Sequence, residues 1–247
     1  VSISINDGRD VTGYFIDASQ SNKERGFVRN RNGAITAFDA PNASTTTPFS
    51  INSSGSVTGV FFANQSSHGR GFVRDQAGHI NVFDAPNGSY TGPTSINASG
   101  KIAGFYNDVN ANLGSHGFVR DQSGNLTVFD PPTSVSTAPT SINASGDVTG
   151  YFQRGSQGGT RGLLRQQFGN ITAFDAPNSS LTYPFSINDG GEVTGTFSDA
   201  SLMPGSPFGG KLRGFVRDQI GNISVFDPNT AALTETFSIN STGDVTG

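Results

Sequence analysis

Cysteine is absent from this chain of 247 residues, which excludes a disulfide framework and any thiolate metal site. No apolar run approaches the ~18 residues of a membrane-spanning helix. Basic residues are outnumbered, 15 against 19 acidic, so the positive footprint of a nucleic-acid-binding protein is missing. Glutamate is scarce: Glu24, Glu192 and Glu235 are the whole supply, and they fall at unrelated places. High net charge is lacking as well, at −4, and with 20 phenylalanines the chain does not have the composition of a disordered one. No signal peptide is evident, and the first and last residues both lie inside repeated sequence, so a trimmed or processed product is expected.

What is present is repetition. The stretch SINSSGSVTG from Ser50 recurs as SINASGKIAG from Ser95, SINASGDVTG from Ser141, SINDGGEVTG from Ser186 and SINSTGDVTG from Ser238. A looser copy, SINDGRDVTG, begins at Ser4. The starts are 46, 45, 46, 45 and 52 residues apart, a period that marks a solenoid, propeller or array. The 33 glycines recur with it.

Within one unit, Phe49–Asn52 reads as a short strand, followed by a tight turn at Ser53–Gly55 and a second strand at Val57–Phe62. A polar stretch, Ala63–Gly69, leads to a third strand at Arg70–Asp75. A turn at Gln76–Gly78 and a fourth strand at Ile80–Asp84 complete the set. Ala85–Pro93 reads as a long loop, its prolines stopping strand continuation. No helical period persists. Four antiparallel strands per ~45 residues describe the blade of a β-propeller. The expectation is an all-β fold: one propeller over residues 1–247 with five four-stranded blades and a surplus terminal strand pair. A ring of six, or part of a longer array, is the alternative. Repeats begin near Ser4, Ser50, Ser95, Ser141 and Ser186, with a partial sixth from Phe237. One terminal strand pair is expected to close the ring by completing a blade begun at the other end of the chain.

The glycines Gly13, Gly59, Gly104, Gly150 and Gly195 should mark close backbone approach in the second strand. The third-strand Phe27, Phe72, Phe118 and Phe215 (Leu163 in the fourth unit) and the fourth-strand Phe38, Phe83, Phe129, Phe174 and Phe226 should fill the space between blades.

The pattern SINxxGxVTGxF followed by RGFVRDxxGNITxFDAP resembles the bacterial HAF-type extracellular repeat family over nearly the whole chain. The family's His-small-Phe signature stands as His116-Gly117-Phe118, with Arg in place of His elsewhere, as in Arg70-Gly71-Phe72. The resemblance implies a secreted or surface-exposed bacterial protein and brings no catalytic residues. Five-bladed sugar-binding propellers of the tachylectin type are similar in architecture alone.

Nine arginines sit at repeat positions. Arg25, Arg70, Arg161 and Arg213 precede the Gly of the third strand, and Arg70 with Asp84, Arg25 with Asp39 and Arg213 with Asp227 should form clamps across the hairpin end. Arg29, Arg74, Arg120, Arg165 and Arg217 come late in the same strand. Gly205–Leu212 imitates a phosphate-binding loop but lacks its Ser/Thr and its helix. Asp108–Gly114 imitates a calcium loop without the closing Glu. His68, His79 and His116 are divided between turns and loops on opposite faces, which excludes a triad. The expectation is therefore no catalytic residue, no metal, no cofactor and no enzyme.

Positions where the repeats disagree carry more. Four residues after the VTG glycine, at the edge of the loop face, stand Asp17, Ala63, Asp108, Arg154 and Asp199, and the loops add Tyr90 and Tyr183. Polar groups beside tyrosines suit a sugar or peptide surface. The expected ligand-binding residues are Asp17, Asp108, Arg154, Asp199, Tyr90 and Tyr183, and the expected partner a glycan or other surface polymer. Self-association through the terminal strands is a secondary expectation. An adhesive or structural module of a longer surface protein is the second reading, and a glycosidase-like enzyme using Asp17, Asp108 or Asp199 the third.

Overall fold

The computed structural model describes residues 1–64, 66–109, 114–155, 158–201, 210–228 and 231–247. The chain divides into two compact units, residues 1–128 and 129–247. Every long element of the described residues is a β-strand, and no helix among them is long and apolar enough to cross a membrane.

The first unit holds β1 (Ser2–Ile5), β2 (Val11–Asp17), β3 (Lys23–Arg29) and β4 (Ile35–Phe38). It continues with β5 (Ala43–Ile51), β6 (Val57–Ala63), β7 (Gly69–Arg74) and β8 (Ile80–Phe83). A third group, β9 (Gly88–Ile96), β10 (Ile102–Asp108), β11 (Ser115–Arg120) and β12 (Leu126–Phe129), carries the chain into the second unit. There follow β13 (Ser134–Ile142), β14 (Val148–Arg154), β15 (Thr160–Arg165) and β16 (Ile171–Phe174). The last elements are β17 (Ser179–Ile187), β18 (Val193–Asp199), β19 (Lys211–Arg217), β20 (Ile223–Phe226), β21 (Ser238–Ile239) and β22 (Val245–Thr246).

Each group of four is an antiparallel meander, as in the series β5-β6-β7-β8. Consecutive meanders touch through single parallel bridges, Glu24 with Thr45 and Gly69 with Tyr90 in the first unit and Thr160 with Leu181 in the second. None of the three sheets closes on itself among the described residues. The terminal strands differ from the expected closure. β1 and β2 complete the first meander with β3 and β4, while β21 and β22 pair with each other beside β17 and β18. Both copies are thus built as the start of a repeat.

The first strand of a repeat has nine residues rather than four, and the stretch read as a long loop is mostly strand. Pro48 and Pro93 lie inside it, opposite Gly59 and Gly104. A missing N–H is tolerated there because the register slips immediately afterwards, between Pro48 and Ser50, where a bulge leaves the ladder unpaired in any case. Gly59 is required by the same bulge: a Cβ would stand 2.2 Å from the Thr47 carbonyl oxygen. The short connections before β5, β9 and β17 are proline turns ending at Asn42, Asn87 and Asn178 with φ of 56°, 54° and 52°, a left-handed position that asparagine accepts, while Thr133 takes it before β13 with φ of 66°.

Why Ser-Ile-Asn recurs is visible in the hydrogen bonds. Asn52 accepts through Oδ1 from the backbone N–H groups of Ser54 and Ser56, closing its own turn, and donates through Nδ2 to the Asn97 carbonyl of the following repeat at 3.0 Å. Asn6 reaches Asn52 in the same way, and in the second unit Asn143 reaches Asn188 and Asn188 reaches Asn240. The serine supplies a second link: Ser4, Ser50, Ser141 and Ser186 each accept from the Ile N–H one repeat on. The isoleucine itself is buried in Ile51, Ile96, Ile142, Ile187 and Ile239, and exposed at Ile5 in the first copy. The threonine of VTG ties the second strand to the third, Thr58 Oγ1 donating to the Phe72 carbonyl at 2.8 Å.

Phenylalanines fill the space between neighbouring repeats. Phe38 meets Phe72 edge to face at 6.0 Å, Phe83 meets Phe118 at 6.2 Å, and Phe174 meets Phe215 at 6.2 Å. Phe72, Phe118, Phe215 and Leu163 are fully buried, whereas Phe27 is half-buried, a departure from the expected equivalence.

Candidate functional site

The charged positions at the ends of the second strands are mostly committed to partners of their own. Asp17 ends β2 and is already engaged, with Ser19 Oγ donating at 2.6 Å and Arg25 Nη1 at 3.0 Å. Those two bonds, Ser19 first and Arg25 next, hold its carboxyl below the ordinary value. Asp199 ends β18 almost wholly buried, accepting from Ser201 and, at 3.0 Å, from Arg213. Burial alone would raise its pKa, but the hydrogen bonds of Ser201 and Arg213 outweigh it and the net shift is downward. Carboxyls held anionic this way are poorly suited to act as general acids. Asp108 ends β10, half-buried, and Arg154 ends β14 exposed. Residues 110–113 of the imitation calcium loop Asp108–Gly114, and residues 202–209 of the insertion around Ser201–Gly210, lie outside the described residues.

The hairpin clamps form. Arg70 Nε and Nη2 hold Asp84 at 2.9 and 2.6 Å, and Arg161 holds Asp175 from Nε at 2.9 Å. Arg25 donates to Asp39 at 3.0 Å. Arg213 is the exception: its near partner is Asp199, and Asp227 stands at 3.8 Å from Nε.

The late arginines have a different role, one the linear pattern does not reveal. Arg74 lies over the Phe38 ring of the preceding repeat at 5.0 Å, Arg120 over Phe83 at 4.8 Å, Arg165 over Phe129 at 5.0 Å and Arg217 over Phe174 at 5.1 Å. Their Nε atoms are buried without a hydrogen-bond acceptor among the described residues, so the ring face stands in for one. Burial lowers the pKa of all four guanidinium groups.

Tyr90 and Tyr183 lie on strands β9 and β17, not on loops. The reason is the nine-residue first strand described above. Tyr90 stacks on Phe105 with centroids 5.7 Å apart and planes at 27°, and Phe62 flanks it at 6.3 Å. Two glycines make its seat: a Cβ on Gly69 would come 2.4 Å from the ring, and one on Gly92 2.6 Å. Burial pushes the Tyr90 phenol up. Beside the stacked pair is an open cleft of about 370 Å³ lined by Ile3, Phe49, Tyr90, Gly92, Thr94 and Phe105. In the second unit Tyr183 meets Tyr151 edge to face at 5.0 Å.

Of the six expected residues, Tyr90 alone lines this cleft. Ile3, Phe49 and Thr94 occupy one repeat position, immediately before the recurring Ser-Ile-Asn, and Phe105 follows the second-strand glycine. A signal exists in the chain, because these positions vary between repeats while the Ser-Ile-Asn that follows the one and the glycine that precedes the other do not. The charged variation at the loop edge is the more conspicuous of the two and masks it.

No protein-family model matches the chain, and no curated protein sequence does. Solved structures resemble it in fold. Virginiamycin B lyase from Staphylococcus aureus superimposes with a TM-score of 0.61 at 16% identity, covering 98% of this chain and 75% of that one. The β-propeller domain of the Trilobed protease from Pyrococcus furiosus, described as having an open velcro topology, gives 0.63 at 9% identity, covering 97% and 75%. A gluconolactonase from Xanthomonas campestris gives 0.51 at 10% identity, covering 100% and 82%. The lyase and the gluconolactonase are enzymes, which corrects the expectation of no enzyme: this fold carries catalysis in other proteins. What the likeness establishes for this chain is the fold, an all-β architecture of the β-propeller kind.

Proposed function

We propose that the protein binds a carbohydrate or a comparable surface polymer, and that the aromatic cleft of the first unit is where it does so. The observation that carries this reading is the stacked Tyr90–Phe105 pair bordering an open cleft of about 370 Å³. An aromatic wall offers a flat apolar surface to the C–H face of a sugar ring, and such sites combine apolar lining with a few polar groups. Thr94 brings a polar side chain to the lining, its hydroxyl donating to the Ala103 carbonyl at 3.1 Å. The five complete meanders are the blades in this reading. An extracellular or cell-surface location in a bacterium belongs to the same proposal, as the likeness to HAF-type repeats implies.

A glycan array on the intact protein tests the proposal, followed by titration of whatever binds. Phe105→Ala should weaken that ligand about tenfold with the fold retained, the range expected for losing one well-placed aromatic contact. Affinity unchanged in Phe105→Ala, or no glycan retained at all, would remove the cleft from consideration.

A further inference from the structure

The tight turn between third and fourth strand ends in every repeat on a left-handed glycine, as at Gly78 and Gly169, and the residue before that glycine varies. It is Asn32, Ala77 and Ser123 in the first unit. In the second unit it is Phe168 and Ile220, 87% and 86% exposed. One exposed apolar side chain is ordinary on a protein surface. Here two large ones recur at the same position of consecutive repeats, where they contribute nothing to the core.

Local contacts join the two tips into one surface. The N–H of Gln167, beside Phe168, donates to Asp147 Oδ1 at 2.8 Å, where the first turn of that repeat closes. On that turn the N–H of Ala144 donates to Asp189 Oδ1 of the following repeat, also at 2.8 Å. The side chain of Gln219, beside Ile220, lies over the turn that Asp189 belongs to: a Cβ on Gly191 would stand 3.6 Å from its Cγ.

The charge on this surface has one sign. Asp147, Asp189, Glu192 and Asp218 stand on it, and none of them is in an ion pair among the described residues. Their hydrogen-bond donors there are uncharged: the backbone of Gln167, Ala144 and Ile220, and the amides of Asn188 and Asn222. The cations of the unit are placed elsewhere. Arg154, Arg161, Lys211 and Arg213 belong to the opposite ends of the strands, the last three paired with Asp175, Asp227 and Asp199. Arg165 and Arg217 are buried over Phe129 and Phe174. The turns of the first unit, by contrast, carry exposed Arg9 and Arg31 among their acids.

We propose that the turn end of the second unit is an interaction surface for a basic polypeptide, whose apolar side chains cover Phe168 and Ile220 while its lysines or arginines meet the carboxylates around them. Covering the apolar tips supplies affinity, and the complementary charge selects and orients the partner. An anionic lipid surface or a nucleic acid would be repelled by the same carboxylates. The surface is separate from the aromatic cleft and does not rest on the reading of that cleft.

The test uses the intact chain and a short fluorescein-labelled peptide of leucine and lysine, followed by anisotropy. Saturable binding is expected, weakening as salt is raised. A peptide with every leucine replaced by serine should bind at least about tenfold more weakly, and protein Phe168→Ser should show a comparable loss against the parent peptide. Ile220→Ser should weaken binding about fivefold, and Asp189→Asn about twofold with a shallower salt dependence. The three side chains are exposed, and serine already stands at the turn position as Ser123, so these variants should melt as the parent does. Absence of saturable binding overturns the proposal, as does equal binding of the serine peptide or indifference to Phe168→Ser and Ile220→Ser together. Retention on phosphatidylglycerol vesicles that Phe168→Ser abolishes would assign the tips to a membrane, and self-association that it abolishes would assign them to a second copy; either result overturns the proposal equally.

Discussion

Phe72 and Phe27 occupy the same place in consecutive repeats, yet Phe72 is fully buried and Phe27 only half so. Their strands have the same register: Phe72 faces Gly59 and Phe27 faces Gly13. The arginine two residues on is equally unlike its counterpart, Arg74 being buried over a ring while Arg29 is exposed. Nothing local distinguishes the pairs. The difference is Phe38, which the preceding repeat delivers to the second repeat. A repeat of this kind therefore supplies half of a core, and the neighbour supplies the rest.

The comparison is broken most directly by truncating the two rings. Phe72→Ala should cost about 3–5 kcal/mol, because a closed, packed site is emptied, whereas Phe27→Ala should cost about 1–2 kcal/mol. Urea unfolding of both variants measures the difference, and equal losses would show that Phe27 is packed in solution as closely as Phe72. The asparagines offer the next largest contrast. Asn52→Ala removes a turn closure and a buried link to the next repeat and should cost about 2–4 kcal/mol, while Asn240→Ala, which has only its turn to lose, should cost about 1 kcal/mol. Thermal melts that rank Asn240→Ala beside Asn52→Ala would deny the links between repeats their role. Smaller again is the threonine pair: Thr58→Val should lose about 1 kcal/mol and Thr246→Val nearly nothing.

The smallest effect concerns pH and compares an engaged carboxyl with its absence. The folded pKa of Asp199 lies below its ordinary value, so its ionised form is the one the fold favours. The stability this contributes is present above the unfolded pKa of about 3.9 and is lost as pH falls through the lower folded value. Denaturant midpoints between neutral pH and acid should therefore decline less steeply for Asp199→Asn than for the parent. Parallel declines would mean that Ser201 and Arg213 do not hold the carboxylate as described.

How much of this could be read in the linear chain varies by residue. Gly59 was legible as a point of close approach, since a glycine weakens a strand and recurs inside one where backbone must come near. The Arg70–Asp84 clamp was legible because both partners belong to one hairpin, and hairpin pairing follows from short-range sequence. Pro93 misled: proline normally stops a strand, and the bulge that excuses it depends on the register of two strands. The Tyr90 cleft was half-legible, since Tyr90 drew notice for its chemistry while Phe49 and Phe105 converge on it only through pairing between β9 and β10 and contact with the preceding repeat. Arg74 gave no sign of its partner, because Phe38 is 36 residues away in the chain.

By itself, the sequence determined the repeat length, the order of strands within a repeat and the turns between them, all of which rest on backbone preferences and patterns a few residues long. The tertiary structure alone decided which of several identical residues are sealed, which asparagine has a neighbour to grip, and which ring is left half-buried. Those outcomes depend on contacts about 45 residues apart, between surfaces that every copy of the repeat encodes alike. Identical side chains then differ in burial and energy because only some of them meet the surface they were shaped to fit.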